Sequence, residues 1–353
     1  MQTDGTATLE SRAAAQDDTA NWRAGVGPYI GPNVAYSVFQ LISTLALLAI
    51  CFVCQMWALE RSIWLCIALG FPTAGLLVRA FIFMHDCTHG SFLHSRWATE
   101  LVGYVTGLLH FTPFAAWRRE HALHHAASGD LDRRGHGDVP TWTVREYLAL
   151  PRWKRFFVRV VRHPVLFLLG GPFHLLFAQR FRPRSKATGD QQIASVWETN
   201  VGIVVFLGLL YWAFGWKGPV VYTTTWYFAA MFGIWLFYVQ HQFEDAYWQS
   251  HDNWDYVDAS LQGSSHLKLP ALLQWFSGSI GLHHIHHLAP RIPNYKLQAC
   301  HDANPMFQHA PEVTILSGIS ALRLALWDEE RGKLVAFGDL KSRAPGDGSP
   351  GTG

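Results

Sequence analysis

IWLCIALGFPTAGLLVRAFIFM, residues Ile63 to Met84, runs without a break into His85-Asp86-Cys87-Thr88-His89, and the reading of this join decides the fold. Twenty-two residues with one interior charge, Arg79, suffice for an α-helix to cross the roughly 30 Å hydrocarbon core of a bilayer. If the helix continues past the membrane surface, His85 and His89 stand four residues apart on one face. A membrane span then delivers a pair of imidazoles at its own end.

Working outward, Val34 to Leu59 is a second span of full length, and Val201 to Trp216 with Pro219 to Gln240 read as two more. The runs Leu101 to Trp117 and Pro164 to Ala178 are marginal in length for crossing and better suit re-entrant or interfacial helices. Composition agrees: half the residues are apolar, only 15% are charged and the mean hydropathy is +0.08, which is too apolar for a soluble domain of this length. The architecture expected is an all-α integral membrane protein of about four transmembrane helices plus re-entrant or interfacial helices, with a histidine-rich cap.

Net charge is +2, too small to argue for a nucleic-acid partner, but its distribution matters. Arg118 to Lys186 carries fourteen Lys and Arg residues, whereas the short loops hold Arg61 and Lys217. The positive-inside rule places the long basic segment, the cap and both termini in the cytoplasm, and in a bacterium the membrane is the inner one. Met1 to Asn21 is polar, lacks the apolar core of a secretory signal and reads as a disordered arm. A single membrane domain is expected over residues 22–341, with a Gly- and Pro-rich tail at 342–353. Cys51 and Cys54 form a C-x-x-C only inside a span, which reads as buried thiols, and the other cysteines show no zinc-ribbon pairing.

Nineteen histidines is a high count for this length, and they cluster after apolar segments. His85 and His89 follow one span. His121-Ala122-Leu123-His124-His125 follows the next apolar run, His241 ends the last span, and His283-His284-Ile285-His286-His287 repeats the H-x-x-H-H spacing. With four crossings all of these return to one side of the membrane; an odd crossing between them would part them by about 30 Å. His85, His89, His121, His124, His125, His241, His283, His286 and His287 supply nine nitrogen donors. A structural zinc takes four ligands and a catalytic zinc three, so nine fit two ions. Imidazole itself does not choose among zinc, copper, iron and nickel. Asp86, Glu120, Glu244 and Asp245 stand nearby as candidate acceptors for the second ring N–H of the ligands.

These motifs, with Phe81 to Cys87, Asp130-Leu131-Asp132-Arg133-Arg134-Gly135 with Gly137-Asp138, Tyr238 to Asp245 and His286 to Tyr295, resemble the membrane fatty acid desaturases of the three-histidine-box type, in particular bacterial acyl-lipid desaturases. The resemblance covers about Asn33 to Trp327. It implies that His85 and His89 form the first box, His121, His124 and His125 the second, His283, His286 and His287 the third, and that His241 is an additional ligand. It further implies two non-haem iron ions, oxygen-dependent insertion of a double bond into a lipid-linked acyl chain, and two external electrons. The chain shows no C-x-x-C-H and no G-x-G-x-x-G after a strand, so the electrons come from a partner, by resemblance a carrier of the ferredoxin or flavodoxin type.

His284 is surplus to the H-x-x-H-H pattern and reads as a second-layer or solvent-facing residue. His110 and His174 lie within apolar runs, where an ionisable group usually has a partner. The basic segment Arg152 to Arg162 suits either anionic lipid headgroups or an acidic electron carrier, the former reading being preferred. Arg79 is a candidate headgroup or structural anchor, with snorkelling as its simple alternative. The nearest rival is a lipid, alkane or carotenoid hydroxylase on the same scaffold. A zinc transporter or membrane metalloprotease is more distant, since the first box lacks the Glu of H-E-x-x-H and the ligands follow the spans rather than interrupt them.

Overall fold

The computed structural model describes residues 22–137, 139–180 and 189–340. The arm expected at 1–21, Asp138 and the tail expected at 342–353 lie outside the described residues. After a short helix α1 (Trp22–Val26), Asn33 caps α2 (Val34–Leu59) by accepting from the Tyr36 N–H at 3.1 Å. A three-residue turn follows, and Ser62 caps α3 (Ile63–Thr88). The first predicted span thus has the helix's own bounds, and the second continues four residues past Met84, which carries His85 along with it.

α4 (Arg96–Leu109) and α5 (Phe114–Ala127) divide what reads in sequence as one run, Leu101 to Trp117. The cause is local: Pro113 cannot continue the first helix, and the chain reverses at Phe111, whose φ is +55°. Two side chains of a neighbouring span pin the reversal, since Tyr222 donates to the Leu109 carbonyl at 2.7 Å and Trp226 to that of His110 at 2.9 Å. The pair forms a re-entrant hairpin whose second arm carries the second box outward.

After β1 (Trp142–Thr143) and α6 (Val144–Ala149), α7 (Arg152–Val161) and α8 (Pro164–Arg180) meet at a bend of 79°. α9 (Asp190–Phe214) and α10 (Lys217–His241) are then the third and fourth spans. Arg180, the last residue of α8, donates to Asn200 Oδ1 at 2.8 Å and to the Phe111 carbonyl. Asn200 lies ten residues into α9 and fourteen before its end at Phe214, so α8 stops well short of that helix's far end. Four helices cross, as the spacing predicts, and α8 is re-entrant. α9 begins eleven residues before its apolar stretch because its first turns, Asp190 to Asn200, lie beside α5, where Ser195 accepts from the Ala115 N–H at 3.0 Å.

Sidedness relative to the histidines is fixed by one ion pair. Lys217 at the α9–α10 turn meets Glu60 at the α2–α3 turn at 2.5 Å, so both tight turns share one end of the bundle. The histidine-bearing ends of α3 and α10 share the other. Half of α3's apolar stretch is buried inside the protein against 11% for α9, which makes α3 the central helix and α9 a lipid-facing one. Trp212, at 85% exposed, is among the side chains that α9 turns outward.

The cap is built from short pieces: α11 (Tyr256–Gln262), β2 (His266–Lys268), α12 (Ala271–Phe276), α13 (His283–Leu288), α14 (Leu297–Ala303), β3 (Glu312–Thr314) and α15 (Ile315–Ala321). β4 (Leu324–Asp328) pairs antiparallel with β5 (Lys333–Ala336) and parallel with β1, Trp142 standing against Leu326. β2 pairs parallel with β3, His266 standing against Glu312. Asp130 accounts for the Asp130 to Gly135 motif: fully buried, it accepts from the Arg133 side chain at 2.6 Å and His251 Nδ1 at 2.8 Å, closing a loop over the cap.

Candidate metal centre

The side chains of the first box arrive on the last turn of α3, where His85 is buried and His89 caps the helix. α5 carries His121, His124 and His125; α10 ends on His241; α13 carries His283, His286 and His287. All nine predicted donors meet in one buried volume, divided into two groups. His85, His89, His121, His125 and His286 have one nitrogen each within 4.8 Å of one another, and so do His124, His241, His283 and His287.

Helical spacing explains the division. On α5 the i, i+4 pair His121 and His125 faces the first group while His124 turns to the second. On α13 the i, i+4 pair His283 and His287 faces the second group while His286 turns to the first. The two H-x-x-H-H units therefore interlock, and the groups abut where the His125 and His287 rings stack with centroids 4.1 Å apart.

Within each group the nitrogens crowd. His125 Nε2 lies 3.1 Å from both His121 Nε2 and His286 Nε2, and His241 Nε2 lies 3.1 Å from His124 Nε2 and 2.9 Å from His283 Nε2. One ring nitrogen offers either a proton or a lone pair, so neither central ring satisfies both neighbours by hydrogen bonding. His89 Nε2 and His287 Nε2 are buried with no hydrogen-bond partner among the described residues. A cation at each group's centre satisfies every one of these lone pairs, and metal–nitrogen bonds of roughly 2.1 Å set at right angles put neighbouring nitrogens about 3 Å apart. The residues fit a pair of metal ions.

Electrostatics point the same way. Burial pushes the imidazoles of His89, His121, His125, His283, His286 and His287 well below the ordinary histidine range, and neighbouring histidines add to the shift. The rings are neutral near pH 7, the form that binds metal. Trp117 stacks on His121 at 4.3 Å, and Phe237 stands 5.3 Å from the His124 ring, so aromatic walls close the volume on two sides.

The carboxylates expected to hold the ligands do so less than their spacing suggests. Glu244 and Asp245 are exposed, and Glu244 pairs with Lys333 at 2.9 Å. Asp86 Oδ1 stands 3.5 Å from His85 Nδ1, too long for a hydrogen bond, and its other oxygen is taken by Asn294. His241 Nδ1 lies instead 3.3 Å from the Gly263 carbonyl, an acceptor that sequence spacing does not reveal.

His284 does not face solvent. It is fully buried and turned from the centre, its ring 5.7 Å from His266, 5.8 Å from His301 and 6.1 Å from Phe307. One residue along a helix is a rotation of about 100°, which takes it off the ligand face. Burial first, then His266 and His301, hold it down at about 3. His110 packs into the re-entrant turn against Phe81 at 4.8 Å, and His174 is exposed on α8; neither joins a nitrogen group. Arg79 does not snorkel: it is 6% exposed and bonded inside the protein.

Four apolar spans beneath nine converging imidazoles define a class, the helical membrane proteins whose metal centre is built from histidine at one end of the bundle. The sequence profile of the family described as "Fatty acid desaturase" matches residues 62–314. A relative named "Fatty acid desaturase" from Bacillus subtilis is 37% identical over 319 residues, covering 90% of each chain. The "sn-1 oleoyl-lipid 12-desaturase" of a Synechocystis species is 26% identical over 295 residues, 79% of this chain and 80% of that one. The "sn-1 acyl-lipid omega-3 desaturase (ferredoxin)" of a Nostoc species is 25% identical over 281 residues, 75% of this chain and 74% of that one. The chain belongs to the fatty acid desaturase family and is an oxidoreductase of acyl chains. These relatives are desaturases, and they favour that reading over a hydroxylase, a transporter or a protease.

Proposed function

We propose that this protein inserts a double bond into the acyl chain of a membrane lipid, using two iron ions held by nine histidines. His85, His89, His121, His125 and His286 hold one ion, and His124, His241, His283 and His287 the other. The observation that carries this reading is the pair of abutting nitrogen groups, five and four, which leaves the second group the more open to a further ligand. A saturated methylene has no acidic proton and no polarised bond, so it yields neither to a base nor to a nucleophile. When bound, the iron pair supplies the activation of dioxygen that removal of such hydrogens requires.

The overall balance removes two hydrogen atoms from adjacent carbons and converts O2, two electrons and two protons to two waters. The chain's own part is to gather nine imidazoles, fix their directions and exclude bulk water. Substrate linkage to lipid is favoured by the names of the cyanobacterial relatives, and a ferredoxin-type electron donor by one of them. Arg118, Arg119, Arg133, Arg134 and Arg145 lie on the histidine side and only Arg61 and Lys217 at the far turns, which favours a cytoplasmic cap in the inner membrane. α7 fits the surface of that leaflet: Trp153, Phe156 and Phe157 are 68%, 70% and 63% exposed beside Arg152, Lys154 and Arg155.

The test is mass spectrometry of fatty acid methyl esters from a bacterial host expressing the chain, beside a His124→Ala control. A product two mass units lighter than its saturated parent, absent from the control, is expected. A gain of one oxygen would transfer the assignment to a hydroxylase. Elemental analysis of the purified protein is expected to give two irons per chain, and zinc in their place would overturn the metal assignment.

A further inference from the structure

The central helix grips the segment around the third box on both sides of it. Positions 75, 79, 82 and 86 of α3 are spaced four, three and four, which places them on one face. Gly75 admits the Phe276 ring, which a Cβ there would meet at 2.6 Å. Arg79 donates to the Trp275 carbonyl, stacks over the Trp275 ring at 4.3 Å, and is held from behind by Thr44 and Gln40 of α2 at 3.2 Å each. Ile82 lies under Gly278, whose φ of +55° and lack of a Cβ allow the approach. Asp86 then closes the stripe: its Oδ2 accepts from the Asn294 backbone N–H at 2.9 Å and from the Asn294 side chain at 2.8 Å.

Trp275 precedes His283 by eight residues and Asn294 follows His287 by seven, so the two polar contacts bracket α13. Asp86 and Asn294 are each 2% exposed, and this bond pair shares no atom with the nine imidazoles. Only the five-nitrogen group draws on both α3, through His85 and His89, and α13, through His286. The four-nitrogen group takes nothing from α3.

We infer that Asp86 and Asn294 are positioning residues: with Arg79 they register the third box against the first, and so build the five-nitrogen site while leaving the four-nitrogen site independent of them. This inference rests on the two-metal reading above. Losing the bracket lets α3, with His85 and His89, shift against α13, while His283 and His287 keep their place beside His124 of α5 and His241 of α10. Changes to partners that orient metal ligands weaken binding by about 10- to 100-fold. A general loss of stability, in contrast, releases both ions together.

The experiment compares the full-length protein in detergent with Asn294→Ala, Asp86→Ala and Asp86→Asn. Iron per chain is measured during titration with a chelator, and hydrogen exchange of residues 283–295 is followed in the metal-free protein. Asn294→Ala keeps the backbone hydrogen bond and so preserves folding, and Asp86→Asn keeps an acceptor oxygen. Asn294→Ala and Asp86→Ala are expected to lose one of two irons at 10- to 100-fold lower chelator while retaining the other at the parental level, with Asp86→Asn close to the parent. Exchange over 283–295 should rise in the two alanine variants with or without metal. Retention of both irons at parental affinity, or loss of both in parallel, would overturn the inference. A parent that binds no iron refutes the metal reading alone. The exchange measurement then still decides the bracket, since unchanged protection of 283–295 in both alanine variants would sink it.

Discussion

Gly281 lies two residues before His283, and a methyl group there tests how closely the third box must be placed. Its φ is outside the left-handed region, so alanine is acceptable to the backbone itself; space is the difficulty. A Cβ at Gly281 would meet the Leu267 carbonyl oxygen at 2.6 Å, where ordinary contact begins near 3.4 Å. The obstacle is backbone in a strand, since β2 pairs with β3 and the Leu267 N–H donates to the Gly281 carbonyl at 2.7 Å. Relief therefore requires β2 and the start of α13 to part by about 0.8 Å. Overpacking of this kind costs about 1–3 kcal/mol in stability. Misplacement of a catalytic constellation by about 1 Å costs on the order of 10²-fold in rate. Gly281→Ala is thus expected to fold, with a lowered melting temperature in detergent, and to lose roughly two orders of magnitude in unsaturated product per unit of protein. Gly208→Ala is the control, because its Cβ meets nothing within 4 Å on lipid-facing α9. Turnover of Gly281→Ala within about twofold of the parent, with iron content unchanged, would refute the reasoning that the box tolerates no such displacement.

Three further outcomes are expected. His89→Ala and His124→Ala remove a donor from different nitrogen groups, so elemental analysis should find each depleted chiefly in one iron and both without desaturase activity. Tyr222→Phe deletes the hydroxyl that holds the re-entrant turn while its ring stays packed 4.8 Å from Phe206; a loss of about 1 kcal/mol in detergent melting is expected, and no loss would remove that bond from the account of the turn. Arg134 holds the Glu146 carboxyl below its usual range through a two-pronged hydrogen bond at 2.6 and 3.0 Å. Its folded pKa is below the unfolded value of about 4.3, so the contribution is present above that pH and fades as pH falls through the folded value. The pair is part-exposed and worth under about 1 kcal/mol; the melting difference between parent and Glu146→Gln should therefore be small near neutrality and vanish in acid.

The membrane class, the number of crossings and the clustering of the histidines were legible in the sequence because each depends on local periodicity. Twenty apolar residues demand a helix in lipid whatever surrounds them, and H-x-x-H-H puts three imidazoles on one helical face without reference to any partner. The run Leu101 to Trp117 was legible as a short apolar stretch, but its reversal at Phe111 was not, because Tyr222 and Trp226 hold that turn from more than a hundred residues away. Only the tertiary structure divided nine histidines into five and four, since that partition depends on how α5 and α13 face each other across the bundle. It also chose the structural anchor over the headgroup contact for Arg79, turned His284 into the protein, and joined Asp86 to Asn294 across 208 positions of chain. Backbone periodicity is fixed by neighbours in sequence. Long-range pairing of buried polar groups is fixed by which surfaces pack, and no spacing within the chain encodes it.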